Sequence, residues 1–223
     1  MPDFPDPIDE LTGFLARKPF LYRFEEELGK MKGGACSLSI AFLDIDHFLD
    51  INEQYGHAAG DAVLKSMADA IKAQMPENTL ACRYGGDEFV LLFPNVEREQ
   101  AFLWLENLRL KAAEMATPVS RDDRIIQGIS FSAGIACAPL DGNLRSELMR
   151  KADQALYRAK MGGRGRVKLA ADERMLPKTS HYTQTQLERL TRLAEERQAG
   201  EAELLREALD DLIAKYGVNE IER

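Results

Sequence analysis

The sequence predicts an α/β (α+β) fold, a central mixed β-sheet flanked by helices, with a small helical appendage at the carboxyl end. Short apolar runs of strand length alternate with longer stretches of helical period, the pattern of a sheet covered by helices. A hydrophobic fraction of 45% over 223 residues supplies a substantial core for one domain of ordinary size plus a short extension. Past residue 170 the pattern changes, so residues 1–170 read as the domain, 171–180 as a linker and 181–223 as a helical segment.

The elements follow in order. After a proline-rich start, a helix is expected from about Arg17 to Met31, then an apolar strand from Leu38 to Leu43. Asp46 is suited to cap the helix that comes next. A further helix carries the apolar stripe Val63, Leu64, Met67 and Ile71, and a loop from Gly56 to Asp61 separates the two, with Asp61 suited to cap the second. Leu80-Ala81-Cys82 and Phe89-Val90-Leu91-Leu92-Phe93 read as buried strands. Gly85 and Gly86 fall at the tip of the hairpin between them, where chain reversal needs permissive dihedrals. A helix from about Val96 to Met115, a strand from Ile125 to Ala136, a helix ending near Gly162 and a short strand around Val167 to Leu169 complete the domain.

Composition narrows the function. A formal charge of -8 argues against a general attraction to nucleic acid or anionic lipid, so any nucleotide must be bound locally. Cys36, Cys82 and Cys137 are isolated in apolar surroundings and read as small core residues of a reducing compartment. No signal peptide and no apolar run near the ~20 residues of a membrane span is present, which points to a cytoplasmic protein with no membrane partner.

The chemistry concentrates at two acidic strand ends. In Arg83-Tyr84-Gly85-Gly86-Asp87-Glu88-Phe89, a backbone without β-carbons can approach a phosphate closely, while the adjacent carboxylates repel it and so imply a cation between the two. Magnesium is the natural choice, with manganese in its place as an alternative. Phe42-Leu43-Asp44-Ile45-Asp46-His47-Phe48 forms the second acidic end, running into a helix whose first amides, near His47 and Phe48, suit a phosphate. Asp44 and Asp87 are thus expected to share one or two metal ions. An ordinary solvated turn is the plainer reading of Gly-Gly-Asp taken alone.

These residues resemble the GGDEF domain, the catalytic domain of bacterial diguanylate cyclases. Asp9-Glu10-Leu11-Thr12-Gly13, Asp44-Ile45-Asp46-His47-Phe48, Asn52, Tyr55-Gly56-His57, Gly60-Asp61, Arg83 to Phe89, Ser132-Ala133-Gly134-Ile135, Ala152 to Lys160 and Gly163-Arg164 occur in the family's order over about residues 8 to 170. The resemblance implies a nucleotidyl-cyclase-like fold and a homodimer that condenses two GTP, one per subunit, into cyclic di-GMP and pyrophosphate. It implies metal ligation by the carboxylates of Asp44 and Asp87 and the carbonyl of Ile45. Asp87 is implied to help deprotonate the attacking hydroxyl, with Glu88 as a further metal or hydroxyl contact. Arg83 is expected over the reacting phosphates, Lys160 and Arg164 on the triphosphate, and Asn52 and Asp61 on the guanine edge with His57 nearby. A mismatched base would leave such groups unpaired at a cost of about 1–3 kcal/mol each.

The chain also departs from the family. Leu49 stands where a lysine thought to stabilise transition-state charge is usual, and loss of one such contact can slow a reaction by about a hundredfold or more. Glu53 replaces an aspartate, Ala16 an asparagine, and Gly165 an asparagine that often follows Gly-Arg. An Arg-x-x-Asp product-inhibition site is missing, its positions being Pro76 and Thr79, so inhibition by cyclic di-GMP through that surface is not expected.

In the carboxyl segment, Leu187, Leu190 and Leu193 mark one amphipathic helix, and Leu204, Leu205, Ala208, Leu209, Leu212 and Ile213 a second. Ser180 to Thr183 followed by two helices is similar to ribbon-helix-helix proteins, dimers that often bind DNA; the segment's acidity weighs against DNA and for a helical hairpin that pairs subunits. The motif at Asp9 leaves no room upstream for a sensor, so this tail is expected to take over dimerisation. A catalytically weak domain that senses GTP or a cyclic dinucleotide, coupled to DNA through the tail, is the alternative function.

Overall fold

The structure, a computed structural model, describes residues 7–31, 37–119, 125–170, 180 and 182–197, with 201, 204, 205, 208, 209, 212 and 215 beyond them. Chain contacts divide it into two compact units, Met1–Glu173 and Arg174–Arg223.

In the first unit the order is α1 (Arg17–Lys30), β1 (Leu38–Ile45), α2 (Phe48–Tyr55), α3 (His57–Gln74), β2 (Leu80–Arg83), β3 (Glu88–Pro94), α4 (Arg98–Glu114), β4 (Ala116–Pro118), β5 (Ile125–Gln127), β6 (Phe131–Ala138), α5 (Arg145–Met161) and β7 (Val167–Leu169). The main sheet has the order β2-β3-β1-β6-β7, antiparallel throughout except for the parallel β6–β7 pair. The sheet is mixed, as expected.

Every residue of β1 is buried, because helices cover both faces of this central strand. Alternation assigns the faces. Leu38, Ile40 and Phe42 pack with Phe20 and Phe24 of α1 and Leu148, Ala152 and Leu156 of α5. Ala41, Leu43 and Ile45 pack with Val63, Leu64 and Met67 of α3 and Leu105 and Leu108 of α4. Burying each of these large side chains stabilises the fold by about 1.5–3 kcal/mol. At Gly134 of β6 a Cβ would lie 2.1 Å from the Ala152 carbonyl oxygen, so α5 lies directly against the sheet there.

The predicted elements are present with four differences. The strand expected from Ile125 to Ala136 is two strands, because Gly128 turns the chain with φ +74° and β5 pairs away from the main sheet with β4. β4 itself has no counterpart in the sequence reading. The break between α2 and α3 is Gly56 alone, with φ +84°, and α3 begins at His57, so Asp61 lies inside the helix rather than capping it. Gly85 and Gly86 form the tip of the β2–β3 hairpin without positive φ, so conformational freedom is not their reason.

In the second unit α6 (Gln184–Arg197) matches the expected stripe of Leu187, Leu190 and Leu193. A capping box starts it: the Gln186 amide donates to Thr183 Oγ1 at 3.3 Å, and the Thr183 amide donates to Gln186 Oε1 at 2.9 Å. Leu204, Leu205, Ala208, Leu209 and Leu212 are helical. Ser180, Tyr182 and Thr183 carry no regular structure, and the linker from 171, His181, Ile213 and Cys36 lie outside the described residues. Cys82 and Cys137 are free and buried, and burial pushes the Cys82 thiol up to about 12, as suits a core residue. Among the described residues no helix is long and apolar enough to cross a membrane.

Candidate active site

The alternation that sends Leu38, Ile40 and Phe42 toward α1 and α5 continues to the end of β1 and puts Asp44 on the same face. There it meets the last turn of α5, where Lys160 Nζ lies 2.7 Å from Asp44 Oδ2. Register fixes the rest: Asp44 is opposite Glu88 of β3 and Ser132 of β6, and the Ile45 amide donates to the Asp87 carbonyl at 3.3 Å. The two acidic motifs therefore adjoin across one pair of strands. Asp44 is 8% exposed. Burial pushes its carboxyl above the usual range, Lys160 opposes that, and the charges of Asp87 and Glu88 push it further up.

The hairpin is clasped from outside. Arg83 Nε and Nη2 donate to the Gly86 carbonyl at 3.1 and 2.8 Å, and Nη1 donates to Asp9 Oδ2 at 3.3 Å. Asp9 Oδ1 in turn accepts the amide and hydroxyl of Thr12 at 2.9 and 2.7 Å, so the Asp9–Gly13 turn braces the glycine loop. At Gly85 a Cβ would stand 2.6 Å from Glu88 Oε2, so a side chain there would displace the end of the flexible Glu88 side chain; at Gly86 nothing comes within 4 Å, leaving open backbone on the solvent side.

Asp46 does not cap α2. The N-cap is His47, in the left-handed region at φ 58° and without a side-chain cap bond, although its Nδ1 lies 3.0 Å from Asp50 Oδ2. The Asp46 carboxylate is buried and accepts the Ser130 hydroxyl at 2.6 Å, the Ser132 hydroxyl at 2.8 Å and the Gly165 amide at 3.0 Å. Buried donors close to a carboxylate outcompete helix-end amides for it. The last of these bonds ties β1 to the loop after α5, where Gly163, Arg164 and Gly165 have φ of 106°, 59° and 56°. Glycine and asparagine tolerate that region best, which explains Gly165 where the family favours asparagine.

On the other side, Asn52 of α2 packs onto Gly60 of α3. A Cβ at Gly60 would lie 2.1 Å from Asn52 Oδ1 and 3.1 Å from Phe48 Cζ, so glycine is what lets both side chains lie against α3. His57 and Asp61 stand one turn apart at the start of α3, both exposed. Leu49 projects into solvent, 69% exposed.

The structure thus brings Asp44, Ile45 and Lys160 alongside the Asp87-Glu88 strand end. It sets Arg164 on a loop fastened to Asp46, and Asn52 beside the residue preceding Asp61. Arg83 is engaged with backbone and Asp9 rather than extended over the glycines. Among the described residues no three His, Cys, Asp or Glu side chains are arranged to hold a metal; an ammonium sits on Asp44 instead. A groove of about 540 Å³ lies elsewhere, between the Phe14-Leu15 segment and α3, with Pro76 and Thr79 on its wall. The sequence reading missed the bracing by Asp9, Ser130 and Gly60. A serine at both Ser130 and Ser132 was a usable signal, since a two-residue spacing at a strand start puts both hydroxyls on one face.

Comparison with known proteins identifies the family and the fold. The family model for the diguanylate cyclase GGDEF domain matches residues 7–166. Diguanylate cyclase DgcP of Pseudomonas aeruginosa is 40% identical over 163 residues, covering 73% of this chain and 24% of DgcP. Diguanylate cyclase A of Treponema denticola is 37% identical over 142 residues, covering 64% of this chain and 37% of that protein. The chain therefore spans well under half the length of these curated relatives. The crystal structure of the GGDEF domain of DgcB from Caulobacter crescentus in complex with c-di-GMP superposes with a TM-score of 0.70 at 31% identity, covering 77% of this chain and 97% of that one. By its family match, its relatives and its fold, the chain belongs to the GGDEF family of diguanylate cyclase domains.

Proposed function

We propose that the chain is a diguanylate cyclase that condenses two GTP into cyclic di-GMP, each subunit of a homodimer presenting one nucleotide. Each 3′-oxygen forms a bond to the α-phosphorus of the other GTP, each bond from that phosphorus to the bridging oxygen breaks, and two pyrophosphates and two protons leave. The observation that carries this reading is the junction of Asp44 with the Asp87-Glu88 hairpin, two acidic strand ends brought into register beside a glycine loop.

The donor chemistry suits magnesium or manganese, since the Asp44, Asp87 and Glu88 carboxylates and the Ile45 carbonyl are hard oxygen ligands, and these side chains would have to close around the ion, because as they stand no three of them are arranged to hold it. When bound, such an ion supplies neutralisation of phosphate charge and activation of the attacking oxygen. The chain's own groups do the remaining work. Open backbone at Gly86 and the first amides of α2, at His47 and Phe48, receive phosphate oxygens, and Lys160 and Arg164 balance the triphosphate charge. Asp87 takes the hydroxyl proton, with Glu88 at its side. Arg83 holds the glycine loop in shape through Gly86. Asn52 and Asp61 pair with the guanine edge, with His57 at its border. The carboxyl-terminal helices pair the subunits. Cyclic di-GMP in the complex of the Caulobacter domain supports the nucleotide class.

Pyrophosphate release from GTP, followed against protein concentration, tests the two-subunit reaction. A rate per subunit that climbs with concentration and stops on EDTA addition supports it; a rate independent of both concentration and EDTA overturns it.

A further inference from the structure

We propose that Lys160 is the resident counter-ion of the acidic cluster, seated on Asp44 while the site holds no metal and displaced from it when a divalent cation binds, which frees the ammonium for the nucleotide's phosphates. This rests on the reading of Asp44, Asp87 and Glu88 as the metal-side carboxylates.

Three observations lead to it. Lys160 Nζ is 2.7 Å from Asp44 Oδ2, the same carboxylate that the strand register sets beside Glu88 and the Asp87 backbone. Asp44 is fixed in a fully buried strand, its side chain 10% exposed, whereas the Lys160 side chain is 32% exposed and has a path to solvent. The end of α5 is held independently of that side chain, by bonds from the Gly163 amide to the Lys160 carbonyl at 3.3 Å and from the Arg164 amide to the Ala159 carbonyl at 3.1 Å. The four-carbon stem can therefore swing without moving the helix.

An ammonium and a divalent cation repel each other at one carboxylate, so the ion pair with Lys160 and metal ligation compete for Asp44. Metal entry therefore favours the departure of Lys160 from Asp44, and the lysine opposes metal binding until another anion receives it. A triphosphate is such an anion. Metal and nucleotide then strengthen each other's binding through one side chain, and each does so by the same factor.

The test is calorimetric titration of Mn2+ into the full chain without nucleotide. Lys160→Met should bind Mn2+ at least about tenfold more tightly than the wild type, because the competing charge is gone. Lys160→Arg, which keeps the charge, should stay near the wild type, and Lys160→Gln repeats the measurement should the methionine variant fold poorly. Adding Asp44→Asn to Lys160→Met should erase the gain. Without metal, Lys160→Met should melt below the wild type, with Mn2+ closing the gap. An affinity in Lys160→Met equal to or weaker than the wild type's, including no detectable binding in either, would overturn the proposal, as would a gain that survives Asp44→Asn. A chain that shows this exchange yet makes no cyclic di-GMP would sink the cyclase reading and leave the exchange standing.

Discussion

Asp46 Oδ2 accepts the Gly165 amide at 3.0 Å, a bond that joins the acidic end of the central strand to the basic loop after the last long helix. The same carboxylate takes the Ser130 and Ser132 hydroxyls, so one buried side chain sets the separation between the expected metal side and the expected phosphate side. Asp46→Ala leaves these donors without a partner and should destabilise the domain by about 2–3 kcal/mol. Asp46→Asn, which keeps an acceptor, should recover part of that loss. Urea unfolding of the two variants checks both values.

Gly60→Ala puts a methyl where Asn52 Oδ1 and the Phe48 ring now lie. The asparagine has to leave its place, at the cost of a hydrogen-bonding group worth about 1–3 kcal/mol. The KM for GTP should rise by about tenfold with a smaller change in kcat, and discrimination against ATP should fall. Steady-state kinetics with both nucleotides read this directly. An unchanged KM would mean that Asn52 does not bind the base.

Leu49→Lys places a charge at an exposed position of α2 where the family usually has lysine. Stability should stay within about 0.5 kcal/mol of the wild type. Turnover should rise by about tenfold or more, the size of one added transition-state contact. A kcat comparison under saturating GTP decides it.

Asp9 supplies a pH signature. Burial pushes its carboxyl up, but the Thr12 hydroxyl and amide and the Arg83 guanidinium together outweigh burial and leave it below the usual value of 3.8. The folded state thus prefers the ionised form, and the resulting stabilisation is present above about pH 3.8 and fades as pH falls through the lower folded value. Asp9→Asn should therefore destabilise the domain at neutral pH, and the gap to the wild type should close below pH 3.8. Denaturant midpoints of the two proteins across pH 3 to 7 measure it.

Much of this was legible in the sequence where periodicity and chemistry agree. The apolar run of β1, the hairpin strands around Gly85-Gly86 and the stripe on α3 each follow from side-chain period alone, and the acidic ends of two such strands, which the structure brings side by side, marked the candidate site. Local rules failed where partners come from far along the chain. Asp46 has the right type and place for a helix cap, yet its partners Ser130, Ser132 and Gly165 are 84, 86 and 119 residues away. Asp61 looked like a cap because Gly56 was taken to open a loop, whereas one glycine turn sufficed. β4 is three residues ending in proline and has no period to detect. Glycine at position 85 leaves room for the neighbouring Glu88 carboxylate rather than serving a positive φ of its own, which sequence does not distinguish.

The most direct test is product identification by chromatography and mass spectrometry after incubating the purified chain with magnesium and GTP, with ATP in parallel and Asp87→Asn as the control. Cyclic di-GMP from GTP alone, absent with the variant, is the predicted result. No cyclic dinucleotide from a folded dimer that binds GTP, or equal product from the Asp87→Asn variant, would contradict it.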